Sequence, residues 1–303
     1  MLIIVEYILF VYFGLSVMYV GIFSLAGLWR KKEDRESISP KNRIAVLVPA
    51  YKEDVVMSAV IQNLLAQEYP TDAYQVILIA DSFNKETLQI LKKHPIQILE
   101  VKFKHSTKAK SLNYALNIID NKLYDIAVIS DADNLMHPEF LSHINSEFNQ
   151  GNHFIQGRRV AKNMNTDMAT LDTANEIINN HIFRKGFNAL GLSSALIGSG
   201  MAFPFQDLKK YLSKINAVGG FDKELQLAIM QDGNSIKYVE DAIVFDEKIE
   251  TTQAFEHQRK RWISSHYTYF ARHLLPGMRM LFKGNLSYFN IAVVYNLFLP
   301  RMI

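Results

Sequence analysis

Between residues 43 and 156 the chain alternates short apolar runs rich in β-branched residues with longer stretches of helical periodicity. This alternation is typical of a mostly parallel β-sheet that is covered by α-helices. Strands are predicted at residues 43–48, 75–80, 96–101, 125–130 and 153–156, and helices near 55–67, 85–93, 108–120 and 138–148. Ligands bind such sheets beyond the carboxyl ends of the strands, so the residues that follow each strand are the first candidates for a functional site.

The composition excludes several kinds of protein and of site. The chain has 303 residues, 49% of them hydrophobic, which is enough for a well-buried core and excludes a disordered chain. The 33 Lys and Arg residues nearly balance the 30 Asp and Glu residues, so no nucleic-acid partner is expected from charge. The chain contains no cysteine, which excludes disulfides, thiolate metal sites and a cysteine nucleophile. Catalytic chemistry must therefore come from carboxylates, histidine, serine or a bound cofactor.

The N-terminal region contains a long uncharged run, from Tyr7 to Trp29. About 20 apolar residues suffice to cross the ~30 Å hydrocarbon layer of a membrane, so we interpret residues 1–30 as a transmembrane anchor. A cleaved signal peptide is the alternative, but a basic start and a small-x-small cleavage site are missing. Arg30, Lys31 and Lys32 follow the run, with no Lys or Arg before it. The positive-inside rule therefore predicts a protein of the inner or plasma membrane whose catalytic domain is cytoplasmic.

The C-terminal region is also apolar. Residues 286–300 are almost entirely apolar and aromatic, although 15 or so residues are short for a full span. We interpret residues 286–303 as the start of a C-terminal transmembrane segment; an interfacial segment or a helix buried in the domain are the alternatives. Residues 263–285 interleave basic and aromatic residues, which is typical of an amphipathic helix that contacts membrane lipid in the headgroup plane. These segments leave residues 40–262 as the catalytic domain.

Carboxylates follow three of the predicted strands. Glu53 lies just beyond the first strand, Asp81 ends the second, and Asp131 and Asp133 end the fourth. Carboxylates at one sheet edge repel one another unless a cation or a hydrogen-bonding ligand lies between them. An oxygen-ligated Mg²⁺ or Mn²⁺ that bridges the phosphates of a substrate would satisfy them. Asp131-Ala-Asp133 alone could also be a helix N-cap, but the recurrence at Glu53 and Asp81 favours a ligand site.

Five short motifs, in this order, resemble those of the family 2 glycosyltransferases. VPAYKE resembles the family's P-x-Y-N-E, LIADS its second-strand aspartate, KAKSLN its G-K-A-x-x-L-N segment, VISDAD its D-x-D, and QRKRW its Q-x-x-R-W. The last motif is typical of the membrane-embedded branch that includes cellulose, hyaluronan and poly-N-acetylglucosamine synthases. Thr107 replaces the glycine of the third motif. The resemblance extends from Arg43 to Trp262.

The resemblance implies a GT-A fold, an α/β nucleotide-sugar-binding domain, and a role for each matching residue. The residues implied to bind the nucleotide donor are Ala50, Tyr51, Glu53, Asp81, Lys108 and Asp131. Asp133, together with Asp131, is implied to ligate Mg²⁺ or Mn²⁺ on the diphosphate. The residues implied to bind the acceptor or the diphosphate are Gln258, Arg261, Trp262, Gly198 and Gly200.

The catalytic base is less clearly marked. An inverting transfer needs a carboxylate that takes the proton of the acceptor hydroxyl. In the family this is the Asp of a Glu-Asp pair that opens a helix, and that pair is not intact here. The spacing to Gly233 and Gln258 favours Asp222 as the base, whereas an alignment on Gly219-Gly220-Phe221 favours Glu224. We favour Asp222, with Asp246 or Glu247 as later candidates.

The sequence thus predicts a membrane-bound, metal-dependent, inverting glycosyltransferase. It would move a sugar from a nucleotide-diphosphate sugar, with a UDP-sugar as the first candidate, to a glycan or lipid-linked acceptor. Processive synthesis and single addition both remain open. The incomplete Glu-Asp pair motivates an alternative, a catalytically inactive membrane subunit that binds nucleotide sugar or a partner synthase. The presence of Asp131, Asp133 and Trp262 argues against this alternative.

Overall fold

A computed structural model describes residues 2–29, 40–215 and 220–297 of the chain. Arg30, Lys31 and Lys32, whose charges predict the orientation in the membrane, lie outside the described residues, as do Gly219 and residues 298–303.

An eight-stranded sheet forms the centre of the domain. Its strands are β1 (Ile44–Tyr51), β2 (Tyr74–Asp81), β3 (Gln97–Val101), β4 (Ile126–Ile129), β5 (Leu135–Met136), β6 (Ile155–Ala161), β7 (Met201–Pro204) and β8 (Lys237–Asp246). They lie in the order β3-β2-β1-β4-β7-β6-β8-β5. β7 is antiparallel to both of its neighbours, and β5 is antiparallel to β8. The carboxyl ends of β1, β2, β3, β4, β6 and β8 therefore lie at one edge, which is the mostly parallel arrangement that the sequence predicts.

Helices cover both faces of this sheet. They are α1 (Leu2–Ala26), α2 (Met57–Leu65), α3 (Lys85–Leu91), α4 (Lys108–Ile118), α5 (Phe140–Asn149), α6 (Asp167–Asn179), α7 (Phe187–Ala189), α8 (Phe205–Leu212), α9 (Phe221–Gln231), α10 (Thr252–Phe282), α11 (Leu286–Phe289) and α12 (Tyr295–Leu297). Two π-helical segments, Asn180–Gly186 and Asn290–Val294, join α6 to α7 and α11 to α12. Because side chains alternate along a strand, Ala45 and Leu47 of β1 pack into one hydrophobic cluster, and Ile44 and Val46 pack into the other.

Three strands, β5, β7 and β8, are not predicted from the sequence, and β6 is longer than predicted. β6 begins within the predicted fifth strand and continues to Ala161. β7 follows a segment rich in Gly and Ser, which gives no strand signal. β8 carries an irregularity where its pairing to β6 jumps from Val239 to Ile243, and Glu240 and Asp241 lie at this bulge. Two acidic residues in the middle of a strand obscure its apolar pattern.

The N-terminal helix packs against the domain at its second half. Residues Ile3–Ala26 have a mean hydropathy of 2.1 and are long and apolar enough to cross a membrane. Most side chains of the first half are exposed, whereas Phe23 and Ala26 are buried. The contact with the first π-helical segment is close, because a Cβ on Gly186 would lie 2.2 Å from the carbonyl oxygen of Phe23, and one on Gly27 would lie 2.7 Å from that of His181.

A C-terminal membrane helix, which the sequence predicts from residue 286, is not shown. The apolar helical run Leu286–Leu297 is shorter than a full span. Its side chains Tyr288, Ile291, Ala292 and Val293 are buried, so the described part agrees with the alternative of a helix packed into the domain. The run lies antiparallel beside α1, because the Tyr19 hydroxyl donates to Asn290 Oδ1 (2.7 Å) and the Tyr12 hydroxyl to the Leu297 carbonyl (2.9 Å).

The segment predicted as a separate interfacial helix is the second half of a longer helix. α10 begins at Thr252, so the predicted domain boundary at residue 262 falls within it. Pro276 lies inside this helix, where its ring removes one backbone hydrogen bond. The next residue, Gly277, packs against the C-terminal run, since a Cβ there would lie 2.5 Å from Val293 Cγ2.

Candidate active site

A polar cavity of about 480 Å³ lies at the sheet edge where the parallel strands end. Six of the predicted site residues line it: Tyr51, Glu53, Asp131, Asp133, Gln258 and Trp262. Four further charged residues line it that the motifs do not include: Arg159, Asp172, Asp246 and Glu247. The strand order explains Arg159, Asp246 and Glu247, because β6 and β8 are parallel to β1 and β4 and end at the same edge, whereas Asp172 comes from α6.

Asn134 ties two of the carboxylates together. This residue is fully buried, and its side-chain oxygen accepts from Ser199 Oγ at 2.7 Å. In this orientation its nitrogen lies 3.0 Å from Asp133 Oδ1 and 3.1 Å from Asp246 Oδ1. The same Ser199 hydroxyl accepts from the backbone amide of Asp131 at 2.9 Å. The end of β4 and the end of β8 are therefore held by one hydrogen-bonded network.

The clustered carboxylates perturb one another. Burial, followed by the charges of Asp131, Asp246 and Glu53, raises the pKa of Asp133 to about 6. A nearby cation stabilises the ionised form of such a carboxylate. Carboxylate oxygens are suitable ligands for Mg²⁺ and Mn²⁺. Within residues 2–29, 40–215 and 220–297, no group of three or more acidic or histidine side chains could hold a metal ion. The cavity thus fits a cation held by one or two carboxylates and completed by substrate phosphates, which is how Mg²⁺ is commonly bound.

Lys108 joins this cavity to the N-terminus of α9. It is the first residue of α4, whose N-cap Thr107 accepts from the Lys110 amide. The Lys108 ammonium pairs with Asp131 and donates to the Gly198 carbonyl at 2.7 Å. Gly198 adopts a left-handed conformation (φ 88°), and a Cβ on it would lie 3.9 Å from Asp222 Oδ2. Asp131 and Asp222 therefore both lie close to the Lys108–Gly198 contact.

The two candidates for the base have different surroundings. Burial raises the pKa of Asp222, while Lys223 and Lys108 lower it in part. Glu224, in contrast, pairs with Arg272 Nη1 at 2.9 Å and so is directed towards α10. Only Asp222 of this pair lies beside the Lys108–Gly198 contact.

The Q-x-x-R-W stretch lies on α10, and its arginines point in different directions. Gln258 and Trp262 line the cavity, whereas Arg261 is exposed and lines neither of the two cavities described. Arg259 instead lies between two aromatic rings, with its Cζ 4.6 Å from the centroid of Phe255 and 4.9 Å from that of Trp262. Helical periodicity explains the difference, because residues 255, 259 and 262 lie on one face of the helix.

Other predicted site residues lie outside the cavity lining. Ala50 is 2% exposed, and Asp81 is fully buried, with Oδ1 accepting from Ser82 Oγ at 2.9 Å and Oδ2 lacking a hydrogen-bond partner among the described residues. Gly200 has a packing role, because a Cβ there would lie 2.7 Å from Val244 Cγ2. Tyr51 lines both the polar cavity and a second cavity of about 770 Å³ beside the N-terminus of α4.

A buried ionic cluster behind the cavity has no signal in the sequence motifs. Glu176 of α6 pairs with Arg159 (2.6 Å) and Arg184 (3.0 Å), and Lys248 pairs with Asp246 (2.9 Å). Although burial raises it, the charges of Arg159, Arg184 and Lys248 lower the pKa of Glu176 to about 2. These residues come from three separated segments, at positions 159, 176–184 and 246–248, so only the tertiary fold brings them together.

Comparison with known proteins agrees with this architecture. Two beta-monoglucosyldiacylglycerol synthases, from Trichormus variabilis and from a Nostoc species, are each 25% identical to the chain over 238 residues. The matches cover 74% of this chain and 49% of each relative, so the chain spans about half the length of the curated relatives it matches.

A solved structure has the same fold. A mannosyltransferase from Pyrobaculum calidifontis, in complex with GDP-Man and Mn²⁺, superposes with a TM-score of 0.65 at 17% identity, covering 96% of this chain and 83% of that one. The sequence profile described as "Glycosyltransferase like family 2" matches residues 40–265, which is most of the chain. The α/β sheet, the carboxylates at its edge and this match lead to one conclusion: the chain belongs to the family 2 glycosyltransferases.

Proposed function

We propose that the protein transfers a sugar, with inversion, from a nucleotide-diphosphate sugar to a hydroxyl group of a lipid or lipid-linked acceptor at the cytoplasmic surface of a membrane. The observation that carries this proposal is the Lys108–Gly198 contact, which brings Asp131, a residue of the polar cavity, and Asp222 close to one another. Donor and acceptor would meet beside this contact. The arrangement supports a transferase more than an inactive binding subunit, because Asp222, the candidate base, is present although Phe221 stands where the family has its Glu.

The donor's diphosphate would bind at the polar cavity. Asp133 and Asp131 would hold Mg²⁺ or Mn²⁺, and the ion when bound would offset the charge that develops on the leaving nucleotide diphosphate. Asn134 fixes the Asp133 carboxylate, and Lys108 fixes that of Asp131. Tyr51 is 49% exposed between the two cavities, where a nucleotide base can stack on its ring.

Asp222 would act as the general base. Its carboxylate accepts the proton of the acceptor hydroxyl while the hydroxyl oxygen forms a bond to the anomeric carbon. The bond from that carbon to the diphosphate breaks, and its electron pair leaves with the nucleotide diphosphate. A pKa raised by burial makes the Asp222 carboxylate a stronger base than one in water, which suits this role.

The acceptor is proposed to be a membrane lipid. The two relatives are by name synthases of a glucosyl-diacylglycerol, and α1 is long and apolar enough to span a membrane. We propose that α1 anchors the enzyme and that the second half of α10, with Arg272, Arg279 and Lys283, lies against lipid headgroups.

The test is a transfer assay with the full chain in lipid nanodiscs. UDP-glucose, UDP-N-acetylglucosamine and GDP-mannose, each radiolabelled, are offered with diacylglycerol and Mg²⁺ or Mn²⁺. We expect at least one donor to give a lipid-soluble product of one defined size, and Asp133→Asn to abolish it. A long polymer would instead indicate processive synthesis. Nucleotide-sugar binding without any product, from all donors, would favour the inactive-subunit alternative.

A further inference from the structure

The part of α10 that carries Trp262 is held by few buried side chains. The buried residues of this helix are Tyr269 and Gly277, both C-terminal to the tryptophan. Trp262 itself is 36% exposed at the rim of the cavity. A ring at the rim of a site binds a substrate well only when its orientation is fixed beforehand. Some other contact must therefore orient it.

That contact is with Arg259. The guanidinium is stacked between Phe255 and Trp262, which fixes it relative to both rings. Its Nη2 also lies 3.5 Å from Asp172 Oδ1 on α6, so the first half of α10 is joined to another element by an ion pair. Asp172 is 6% exposed and lines the cavity, while the Arg259 side chain on α10 is 25% exposed.

Asp172 lies on helix α6, which is held in place at both ends. Glu176 lies one helical turn further along α6 and pairs with Arg159 of β6 and with Arg184 of the adjoining π-helical segment. At the other end of α6, Thr166 caps the helix by accepting from the Ala169 amide at 3.1 Å. Asp172 thus lies on a helix that is anchored to the sheet, and the Arg259 side chain links its carboxylate to the Trp262 ring.

We propose that Asp172 is a positioning residue of the acceptor site: it holds the Arg259 guanidinium, and the guanidinium in turn fixes the Trp262 ring at the cavity. This inference rests on the proposed function, because it assigns the Trp262 side of the cavity to the acceptor. Within the QRKRW segment, the residue that orients Trp262 is then Arg259, on the face of α10 that points to the cavity. Arg261 takes no part in the contact with Asp172.

The experiment uses the fact that the chain has two tryptophans, Trp29 and Trp262. In a Trp29→Phe background the fluorescence reports Trp262 alone. Asp172→Asn is compared with Asp167→Asn, which makes the same charge change at an exposed position of the same helix. Emission wavelength, acrylamide quenching, donor KM and acceptor KM are measured for the full chain in nanodiscs.

We expect Asp172→Asn to shift the emission to longer wavelength and to increase quenching of Trp262. The acceptor KM should rise about tenfold, as expected for the loss of a charge-assisted contact, while the donor KM changes less than about twofold. Asp172→Glu keeps the charge and should restore part of the acceptor affinity. Asp167→Asn should leave all four readouts unchanged.

Arg259→Gln probes the same contact from α10 and serves if Asp172→Asn fails to fold. It should reproduce the fluorescence change and the rise in acceptor KM, and the double variant should be no worse than the more severe single one. Unchanged Trp262 emission in both single variants would overturn the inference, as would equal increases in donor and acceptor KM. The fluorescence readout needs no turnover, so the positioning contact is tested even if the proposed transfer activity fails.

Discussion

Replacement of Asp133 by Asn is expected to abolish transfer and, at neutral pH without a divalent cation, to stabilise the fold. The cause is the cluster of carboxylates at the end of β4. Burial and the charges of Asp131, Asp246 and Glu53 raise the Asp133 pKa from the ordinary 3.8 to about 6. The folded protein then binds this proton more tightly than the unfolded chain does, so stability falls as pH rises from about 4 to about 6.

The size of the effect follows from the pKa. The difference between 3.8 and about 6 corresponds, at about 1.36 kcal/mol per pH unit, to at most about 3 kcal/mol of unfolding free energy at pH 7. An amide at this position carries no charge to desolvate, so Asp133→Asn should recover most of this unfolding free energy. At pH 4 the wild-type carboxyl is already largely protonated in the folded state, and the two proteins should be about equally stable.

The assay is urea unfolding followed by circular dichroism in EDTA at pH 4 and pH 7.5, with Asp72→Asn, an exposed position, as the control. Addition of Mn²⁺ at pH 7.5 should stabilise the wild type and leave Asp133→Asn unchanged, since a ligand that binds only the folded state raises its stability. The reasoning is refuted if Asp133→Asn is less stable than the wild type at pH 7.5, or if its gain is the same at both pH values.

Three other predictions test separate features. Asp222→Asn should lower turnover at least about 100-fold with donor affinity unchanged, whereas Glu224→Gln should be mild; the opposite ranking in steady-state kinetics would make Glu224 the base. Lys52 has a left-handed backbone (φ 57°), so Lys52→Gly should stabilise the protein by up to about 1 kcal/mol in thermal unfolding, and a loss would mean that its side chain matters more than its backbone. A single cysteine at Lys93, in this cysteine-free chain, should react with an impermeant maleimide only from the cytoplasmic side; labelling from outside would reverse the orientation.

The sequence predicts the sheet well where strands are short buried apolar runs. β2, β3 and β4 lie within one residue of the prediction at each end, β1 extends three residues beyond it, and Asp131 and Asp133 follow β4 as expected. β8 was not predicted because Glu240 and Asp241 interrupt its pattern at the bulge. Strand polarity then decides which residues reach the site, since Asp246 enters the cavity only because β8 runs parallel to β4.

The positions of side chains within the site depend on contacts that no local pattern contains. The motif singles out Arg261, but the helical face that pairs with α6 carries Arg259, and the two-residue spacing, which turns the helix by about 200°, separates them. Asp172 and Glu176 look like ordinary polar residues of an amphipathic helix, and their role depends on Arg159 and Arg184, which lie elsewhere in the chain. Asp81 follows its strand as predicted, yet it is fully buried.

The antiparallel contact between α1 and the C-terminal run has a practical consequence for work with shortened proteins. A version that starts at residue 40 would uncover Phe187, which α1 keeps fully buried through Phe23 and Tyr19. It would also remove the Tyr19 hydroxyl from the buried Asn290 amide. An exposed aromatic surface around Phe187 favours aggregation, and a buried Asn290 amide that has lost its hydrogen bond favours local unfolding. The second half of the first helix therefore completes the packing of the domain, and we expect shortened proteins that lack it to fold less well.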